Sequence, residues 1–407
     1  MLYLLFGLEV AGLGERAPTE ELTETPRERG FMTDDLLELD GAAGGGQLLR
    51  TALSLSMVAD RPFRMVNIRS DRPTPGLKPQ HLAAVRAAAR LCDAEVEGGE
   101  QGTEELTFRP GSPTGGELSV DIGTAGSVTL LFDALLPVAL RLDRPLAVTA
   151  TGGTDVKWSP TTDHYRRVKL PLVRETGVLA TVERDRPGFY PAGGGEATLW
   201  LAPASRSDLR ELDLTERGDL TGVRILSTAS ADLADADVAE RQAASAAKRL
   251  REAESVPDEI SVTERTVSSV ESASPGSALA VVLNYEETTA GFDALGEQGK
   301  AAERVGNEAA ERALAFLERG ADRAGCAASG AVDSVDSPAE AGATPAVDSH
   351  TADQLVVFLA LAGGQIAIPE VTNHVETCVA LVNEFGYSVA IEERGGDRPP
   401  LLTAPGQ

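Results

Sequence analysis

The sequence predicts a layered α/β fold, in which a large domain of three repeated αβ units carries a smaller inserted αβ domain. Strand-like and helix-like patterns alternate from residue 35 onward, and one block of six elements recurs along the chain. The segment from about residue 198 to 290 interrupts that recurrence. Each unit would consist of a small sheet covered by paired helices, and the units would pack around shared cores.

The first block opens with the short strand LLELDG, and its glycine run leads into a helix over QLLRTALSLSMVA. FRMVNIR is predicted as a strand, and a helix begins at Gln80, where apolar residues recur at helical spacing. The strands AEVEG and EELTFRPG complete the block. The second block repeats this order with ELSVDIG, a helix over 127–140, PLAVTATGG, a helix over 161–176, LATVERD and EATLWLA.

The smaller domain is predicted from the strand TGVRILSTAS, a helix over 235–254, and the strands SVTERTV and SALAVVLNYE. The third block resumes with helices over 300–318 and 352–362, the strand QIAIP and a helix over 374–385. The expected divisions are a flexible extension or start-site artefact (1–31), the first part of the large domain (32–197), the insert domain (198–290), the second part of the large domain (291–395, with a disordered insertion at 324–346) and a tail (396–407).

Composition excludes several classes of protein. The 407 residues carry a net charge of −26, which argues against a basic nucleic-acid wrapper, and no apolar run approaches the ~20 residues of a membrane span. Three widely spaced cysteines suit neither a disulfide framework nor a four-cysteine zinc site, so we expect a soluble protein of the reducing cytoplasm. The basic residues are 32 arginines and five lysines. This acidic, lysine-poor composition predicts a protein that works in concentrated salt, where the Debye length falls to ~3 Å at 1 M.

The candidate nucleophile is His374. Asn373 is predicted as the N-cap of its helix, Glu376 as the capping-box partner and Gly386 as the residue that ends the helix. The positive end of the helix dipole disfavours an imidazolium, and the free N–H groups of the same turn could hold a phosphate. Two other interpretations remain open: an exposed histidine at a helix start, or a metal site formed with Cys378.

Other polar residues could contact a nucleotide or a phosphate, although each of them could equally be a helix cap or a solvated surface group. His350 lies at the head of an apolar helix with Asp353 and Gln354 in its first turn. Arginines at predicted strand ends or on predicted helices suit bidentate phosphate recognition; they are Arg50, Arg69, Arg72, Arg166 and Arg167. Common motifs such as the P-loop, the dinucleotide fingerprint, the nucleophile elbow and H-E-x-x-H are absent.

Six segments in order resemble the RNA 3′-terminal phosphate cyclases of the archaeal and bacterial type. They are DGAAGGGQLLRTALSLS, IRSDRPTPGLKPQHLAAV, DIGTAGSVTLL, GGTDVKWSP, RPGFYPAGGGE and HTADQLVVFLALAGG, and the resemblance covers residues 35 to about 395. The block GFYPAGGG is similar to the family signature and is the most specific of them. The family fold, three αβ repeats with a small insert domain, agrees with the pattern described above.

The resemblance implies an ATP-dependent ligase that converts an RNA 3′-terminal phosphate into a 2′,3′-cyclic phosphate. A histidine would first take AMP from ATP and release pyrophosphate, then pass the AMP to the RNA end. By position in the motifs, His374 corresponds to that histidine, and His350, Thr351, Ala352, Asp353 and Gln354 to the ATP-binding segment. Pro160 and Phe292 correspond to partners of the adenine ring, and Gln47, Arg50, Arg69 and Gln80 to phosphate or RNA contacts.

Two departures concern the expected divalent cation, magnesium or manganese. The family opening usually runs D-G-x-x-G-E-G-G-G-Q, whereas Asp40 here reaches Gln47 two residues sooner and the metal-holding glutamate has no counterpart. Asp40 or Glu38 could take the place of that glutamate, but the resemblance identifies no metal ligand in this chain. Asp133 stands where a glutamine that touches ATP is usual.

Two other functions compete with the cyclase. The first is a non-catalytic, cyclase-like RNA-binding factor of ribosome assembly, although those relatives lack the histidine that this chain has. The second is a sugar-phosphate transferase of similar repeated αβ design, which does not account for the GFYPAGGG block. The partners expected for the cyclase are ATP and an RNA 3′ end, with no membrane.

Overall fold

The computed structural model describes residues 36–253, 256, 262–321, 344–395 and 398–406. Within these residues the strands form four four-stranded sheets, and the predicted layered α/β class is confirmed. None of the helices in the described ranges has the length and apolarity that crossing a bilayer requires. The predicted extension at 1–31 and residues 324–343 of the predicted insertion lie outside the described residues.

The first two units have the same topology. The first contains β1 (Leu37–Asp40), α1 (Gly45–Ala59), β2 (Phe63–Val66), α2 (Pro79–Cys92), β3 (Glu95–Glu97) and β4 (Leu106–Arg109), in the sheet order β1-β2-β4-β3. The second contains β5 (Gly116–Asp121), α3 (Val128–Leu135), β6 (Leu146–Gly152), α4 (Thr162–His164), α5 (Leu170–Glu175), β7 (Ala180–Arg186) and β8 (Gly195–Leu201). In both, the first two strands are parallel and the fourth lies antiparallel between the second and the third.

A separate sheet follows the short strand β9 (Leu212–Leu214). It contains β10 (Leu220–Ser230), β11 (Val262–Val270), β12 (Ser277–Tyr285) and β13 (Thr289–Leu295), in the order β11-β10-β12-β13, and it packs against α6 (Val238–Arg251) and α7 (Ala302–Ala321). The helix predicted near residues 300–318 therefore belongs with this sheet, because its apolar face shares a core with α6 and β12. The expected limits of 198 and 290 match neither the start of β10 nor the end of β13.

The third unit is completed by α8 (Ser349–Ala362), β14 (Gly364–Ala367), α9 (Asn373–Glu384), β15 (Ala390–Glu392) and β16 (Leu401–Ala404). Its order, β15-β16-β14-β9, repeats the topology of the first two units, with β9 parallel to β14. The smaller sheet is thus inserted between the first strand and the first helix of this unit. The expected tail over 396–407 is wrong, since β16 pairs on both sides within the sheet. Ala346, expected in the disordered insertion, is fully buried.

One hydrophobic core joins the three repeated units. Leu49 of α1, Phe132 of α3, Leu355 of α8 and Val382 of α9 are fully buried in the same cluster. Burial of a large apolar side chain contributes roughly 1.5–3 kcal/mol, so this shared core fixes the helices relative to one another. Because α1 packs against α3 and α9, and α8 packs against α9, side chains from all four helices meet around this core.

The GFYPAGGG block connects the second unit to the inserted sheet. The N–H of Gly188 donates to Thr154 Oγ1 at 2.9 Å, and the N–H of Ala192 donates to Ser274 Oγ at 3.0 Å. Gly193 has φ 69°, and a Cβ there would lie 2.8 Å from Ala125 Cα, so only glycine fits this turn without strain. The glycines of the block therefore serve close backbone packing between β8, the second unit's loops and the loop before β12.

Candidate functional site

His374 is exposed in the first turn of α9. Thr372, not Asn373, is the N-cap: its backbone is extended, and its Oγ1 accepts a hydrogen bond from the N–H of Val375 at 3.2 Å. The predicted cap is wrong by one residue because Asn373 already has helical conformation and begins the helix. At the other end Gly386 has φ 91° and its N–H donates to the Asn383 carbonyl at 2.9 Å, which confirms it as the residue that ends the helix.

The first turn of α8 is held by a buried carboxylate. Asp348 Oδ1 accepts hydrogen bonds from the N–H groups of His350 (3.0 Å) and Thr351 (2.8 Å), and Oδ2 accepts one from Thr351 Oγ1 at 2.7 Å. This cap leaves the His350 side chain exposed and Asp353 and Gln354 half-buried. Within the described residues, Gln354 Oε1 is buried and accepts no hydrogen bond, so it is available to a donor on a ligand.

Asp353 lies where three separate parts of the chain meet. Its Oδ2 accepts a hydrogen bond from Gln47 Nε2 of α1 at 3.0 Å, although the two residues are 306 positions apart. Burial raises the pKa of Asp353, and the charges of His374, Lys169 and His350 partly offset that rise. The structure therefore brings Gln47, His350, Asp353 and His374 together, and we call them, with Gln354, the Asp353 cluster.

A buried lysine that was not among the residues predicted from the sequence lies beside the Asp353 cluster. Lys169, which is 2% exposed, forms an ion pair with Asp133 of α3 and lies 5.4 Å from the centre of the Tyr165 ring. It occupies the end of a π-helical turn, Tyr165–Lys169, between α4 and α5. Such turns are frequent at functional sites. The sequence gives one indication that Lys169 is important, namely that lysine is scarce in this acidic chain.

A second group of residues, here called the cationic cluster, adjoins the first. It comprises Arg50 of α1, Arg69 and Lys78 of the loop after β2, and Gln80 and His81 at the start of α2. His81 is 3% exposed; burial lowers the pKa of His81 to about 3, and the charges of Arg50, Arg69 and Lys78 add to that effect. Arg50 also faces Asp133 and Asp353, so it connects the two clusters. Gln80 was predicted from the sequence, whereas its neighbour His81 was not.

Arg69 has a structural role as well as a charge in this cluster. Its backbone is left-handed, with φ 58°, and its Nη1 donates to the carbonyls of Thr74 (2.9 Å) and Gly76 (2.8 Å). The side chain thus closes the loop between β2 and α2. Arg166 and Arg167 lie elsewhere, near Asp163 and Glu264, and do not join the cationic cluster.

Pro160 and Phe292 are not placed as a pair. Pro160 is buried, and its carbonyl accepts a hydrogen bond from Thr129 Oγ1 of α3 at 3.0 Å. The neighbouring Thr161 N–H donates to Asp293 of β13 at 2.9 Å. Side chains alternate along a strand, and the ring of Phe292 packs against Phe316 of α7, with centroids 5.5 Å apart. Phe292 therefore points away from the face of β13 that contacts the Pro160 loop.

The carboxylates considered as metal ligands have other partners. Glu38 pairs with Arg64 at 3.1 Å, and Asp40 Oδ1 accepts a hydrogen bond from the N–H of Ala42 at 3.0 Å. Cys378 is buried, and burial raises its pKa to about 12, which disfavours the thiolate that a metal site with His374 would need. Among the residues that the structure describes, no group of three or more His, Cys, Asp or Glu side chains could hold a metal ion. These residues do not fit a protein-held divalent cation.

Comparison with known proteins identifies the family of this chain. The family profile described as RNA 3′-terminal phosphate cyclase matches residues 42–390. A protein of that name from Halobacterium salinarum is 46% identical over 365 residues, which cover 87% of this chain and 96% of the relative. Proteins of the same name from Pyrococcus furiosus and Methanopyrus kandleri are each 38% identical, covering 89% and 90% of this chain and 96% and 97% of the relatives. The chain therefore belongs to the RNA 3′-terminal phosphate cyclase family.

Proposed function

We propose that this chain uses ATP to convert an RNA 3′-terminal phosphate into a 2′,3′-cyclic phosphodiester through a histidine–AMP intermediate. The observation that carries the proposal is the meeting of α1, α8 and α9 at Asp353, beside the exposed imidazole of His374. Family membership supports the same reaction.

In the first step His374 would attack the α-phosphorus of ATP. A nitrogen–phosphorus bond forms, the bond from the α-phosphorus to the bridging oxygen breaks, and pyrophosphate leaves. The N–H groups at the start of α9 and the buried cation Lys169 would stabilise the negative charge that develops on the phosphate oxygens. Gln354 Oε1, which accepts no hydrogen bond from the described residues, suits an amino group of the nucleobase.

The cationic cluster suits the phosphate at the RNA end. Arg50, Arg69, Lys78 and the neutral His81 offer hydrogen-bond donors around one point, and Arg50 connects that point to Asp353. An oxygen of the RNA 3′-phosphate would attack the phosphorus of the histidine–AMP, so that a phosphorus–oxygen bond replaces the nitrogen–phosphorus bond. The neighbouring 2′-hydroxyl would then attack the 3′-phosphorus, lose its proton and release AMP. No step is assigned to a protein-held metal.

The test is to incubate the pure protein with ATP labelled at the α-phosphate. The unsubstituted chain should acquire a covalent label, and His374→Ala should abolish it because the attacking nitrogen is gone. Glu384→Gln, which alters an exposed side chain at the far end of the same helix, is the matched control and should be labelled normally.

An unlabelled wild-type protein would contradict the proposal. If that protein also bound ribosomal RNA tightly, the non-catalytic assembly factor would take its place. Label that persists in His374→Ala would show that another residue is the nucleophile.

A further inference from the structure

Two aromatic side chains are exposed where neither stability nor local structure accounts for them. Aromatic residues make up 4% of this chain, and large ones such as Phe63, Phe132 and Tyr165 are fully buried. Among the described residues, Trp158 is 94% exposed and Tyr190 is 75% exposed. Trp158 also has φ 63°, a left-handed conformation that costs a bulky residue of order 1–3 kcal/mol. Neither the exposure of Trp158 nor its left-handed backbone stabilises the folded state, which indicates that this side chain binds a ligand.

Both aromatic residues lie on loops at one end of the sheet of the second unit. The loop after β6 carries Trp158 and the loop before β8 carries Tyr190, and the ends of those strands pair at Gly152 and Gly195. The Gly188 carbonyl accepts a hydrogen bond from the N–H of Thr154 at 3.0 Å, which holds the two loops together. The loops that carry Trp158 and Tyr190 are therefore neighbours at this end of the sheet.

The loop of Trp158 contacts α3, and the loop of Tyr190 contacts the segment that lies beside Gln80 of the cationic cluster. Two residues after Trp158, the Pro160 carbonyl is bonded to Thr129 of α3, the helix that carries Asp133. On the other side, Gly193 packs against Ala125, and a Cβ at the next residue, Gly126, would lie 2.8 Å from Gln80 Cβ. The exposed side chain of Arg186, whose Nε donates to the Gly194 carbonyl at 2.8 Å, adds a cation to the Tyr190 loop.

Single-stranded RNA suits these exposed aromatic side chains. Unstacked bases bind to aromatic side chains, and this contribution does not depend on counterion release, whereas phosphate contacts weaken as salt rises. A chain with a net charge of −26 has little long-range attraction for RNA. We propose that Trp158 and Tyr190 stack on bases of the single strand that leads to the 3′-terminal phosphate. This inference rests on the proposed function, because it takes RNA as the substrate.

Tryptophan fluorescence tests the inference directly, because the chain has two tryptophans, Trp158 and Trp200. In the Trp200→Phe background all tryptophan emission comes from Trp158. A 3′-phosphorylated single-stranded oligoribonucleotide in multimolar KCl should quench that emission. The same oligonucleotide with abasic sites at its last nucleotides, which keeps every phosphate, should not. In the otherwise unsubstituted chain, Trp158→Ala or Tyr190→Ala should weaken RNA binding about 5- to 150-fold, the range for one stacked base, and Trp158→Phe should restore most of the affinity.

Three results would overturn the inference. If ATP alone quenches the emission, Trp158 contacts the nucleotide of the first step. If the abasic strand quenches it equally, no base is stacked on Trp158. If RNA has no effect, the exposed aromatic residues bind a protein partner instead. Covalent labelling of the same preparation by ATP, measured without RNA, tests the proposed function separately. If ATP labels the protein but RNA does not change the emission of Trp158, only the proposed stacking is refuted.

Discussion

At the scale of single residues, the candidate site depends on the half-buried carboxylate of Asp353. Asp353 accepts a hydrogen bond from Gln47 at 3.0 Å and faces the charges of His374 and Lys169. Replacing it by Asn keeps the shape but removes the charge. We expect Asp353→Asn to slow histidine adenylylation by about 10- to 100-fold, the effect of losing one charge-assisted hydrogen bond.

Single-turnover labelling with ATP measures this effect. Asp232→Asn, the same change at an exposed carboxylate, is the control and should leave the rate unchanged. An unchanged rate of labelling in Asp353→Asn would show that the charge of Asp353 does not contribute to the reaction.

His81 should report on phosphate binding. Burial and the charges of Arg50, Arg69 and Lys78 lower its pKa to about 3, so the free protein should show no titration of this imidazole between about pH 5 and 8. Its Nδ1 accepts the N–H of Lys78 at 3.1 Å, which leaves the proton on Nε2. A bound 3′-phosphate would offset the surrounding cations and raise the pKa of His81. NMR of the imidazole protons, assigned with His81→Asn, checks this, and a pKa that RNA does not raise would exclude contact with the phosphate.

Sequence reasoning reached some of these residues more easily than others. His374 was identifiable because a capping pattern and a terminating glycine place it in a first turn. Lys169 and His81 were not, because their significance comes from burial among residues that are distant in the chain. The pairing of Gln47 with Asp353 spans 306 positions and could be expected only from the resemblance.

At the scale of elements, the start of α8 is tied to the inserted sheet. Asp348, besides capping α8, accepts a hydrogen bond from the N–H of Gly291 in β13 at 3.2 Å and lies 3.7 Å from His164 Nε2. His164 and Asp348 are each 2% exposed. Burial disfavours the imidazolium of His164, but the neighbouring carboxylate of Asp348 outweighs that effect and raises the pKa of His164. Burial would raise the pKa of Asp348, but His164 lowers it to about 2. The ion pair therefore holds the segment that carries His350 and Asp353.

This pair predicts a stability that depends on pH. Because the folded pKa of His164 is raised, its contribution is fully present below its unfolded pKa of ~6.5 and is lost as pH rises through the folded value. Thermal melting should show a larger loss of Tm for His164→Asn near pH 6 than near pH 9, since breaking a buried pair costs about 3–5 kcal/mol. The same change at the exposed His350 is the control. A loss of Tm that is equal at both pH values would show that His164 does not change its protonation state between them.

The elements that the sequence missed share a physical cause. The strand β9 has three residues, too few for its alternation to be recognised, and β13 contains small residues such as Ala290 and Gly291, which obscure the pattern of a strand. The helix predicted over 161–176 is interrupted by the π-helical turn because Pro171 has no N–H to donate to the preceding turn. Longer amphipathic helices such as α1 and α2 were predicted to within a few residues because their apolar faces are regular.

At the scale of the whole molecule, the site is built from all three repeated units. Residues of α1 and α2 come from the first unit, Asp133 and Lys169 from the second, and α8 and α9 from the third. Each unit has the same strand order, yet each contributes different side chains. The recurrence of elements predicted the repeats, but it could not show that side chains of the three units converge, because that depends on how the units share one core.

The charge of the whole chain predicts its response to salt. With a net charge of −26, carboxylates repel one another across the surface of the folded state, and salt at 1 M shortens the reach of that repulsion to ~3 Å. We therefore expect the protein to unfold in low salt and its Tm to rise between low and multimolar KCl. Exposed Asp232 and Asp235 lie close together in the short helix Ala231–Ala236, so the double change to Asn removes two neighbouring charges. The variant should reach the same Tm at a lower KCl concentration than the unsubstituted chain. A Tm that is flat across KCl concentrations would show that surface repulsion does not limit the stability of this protein.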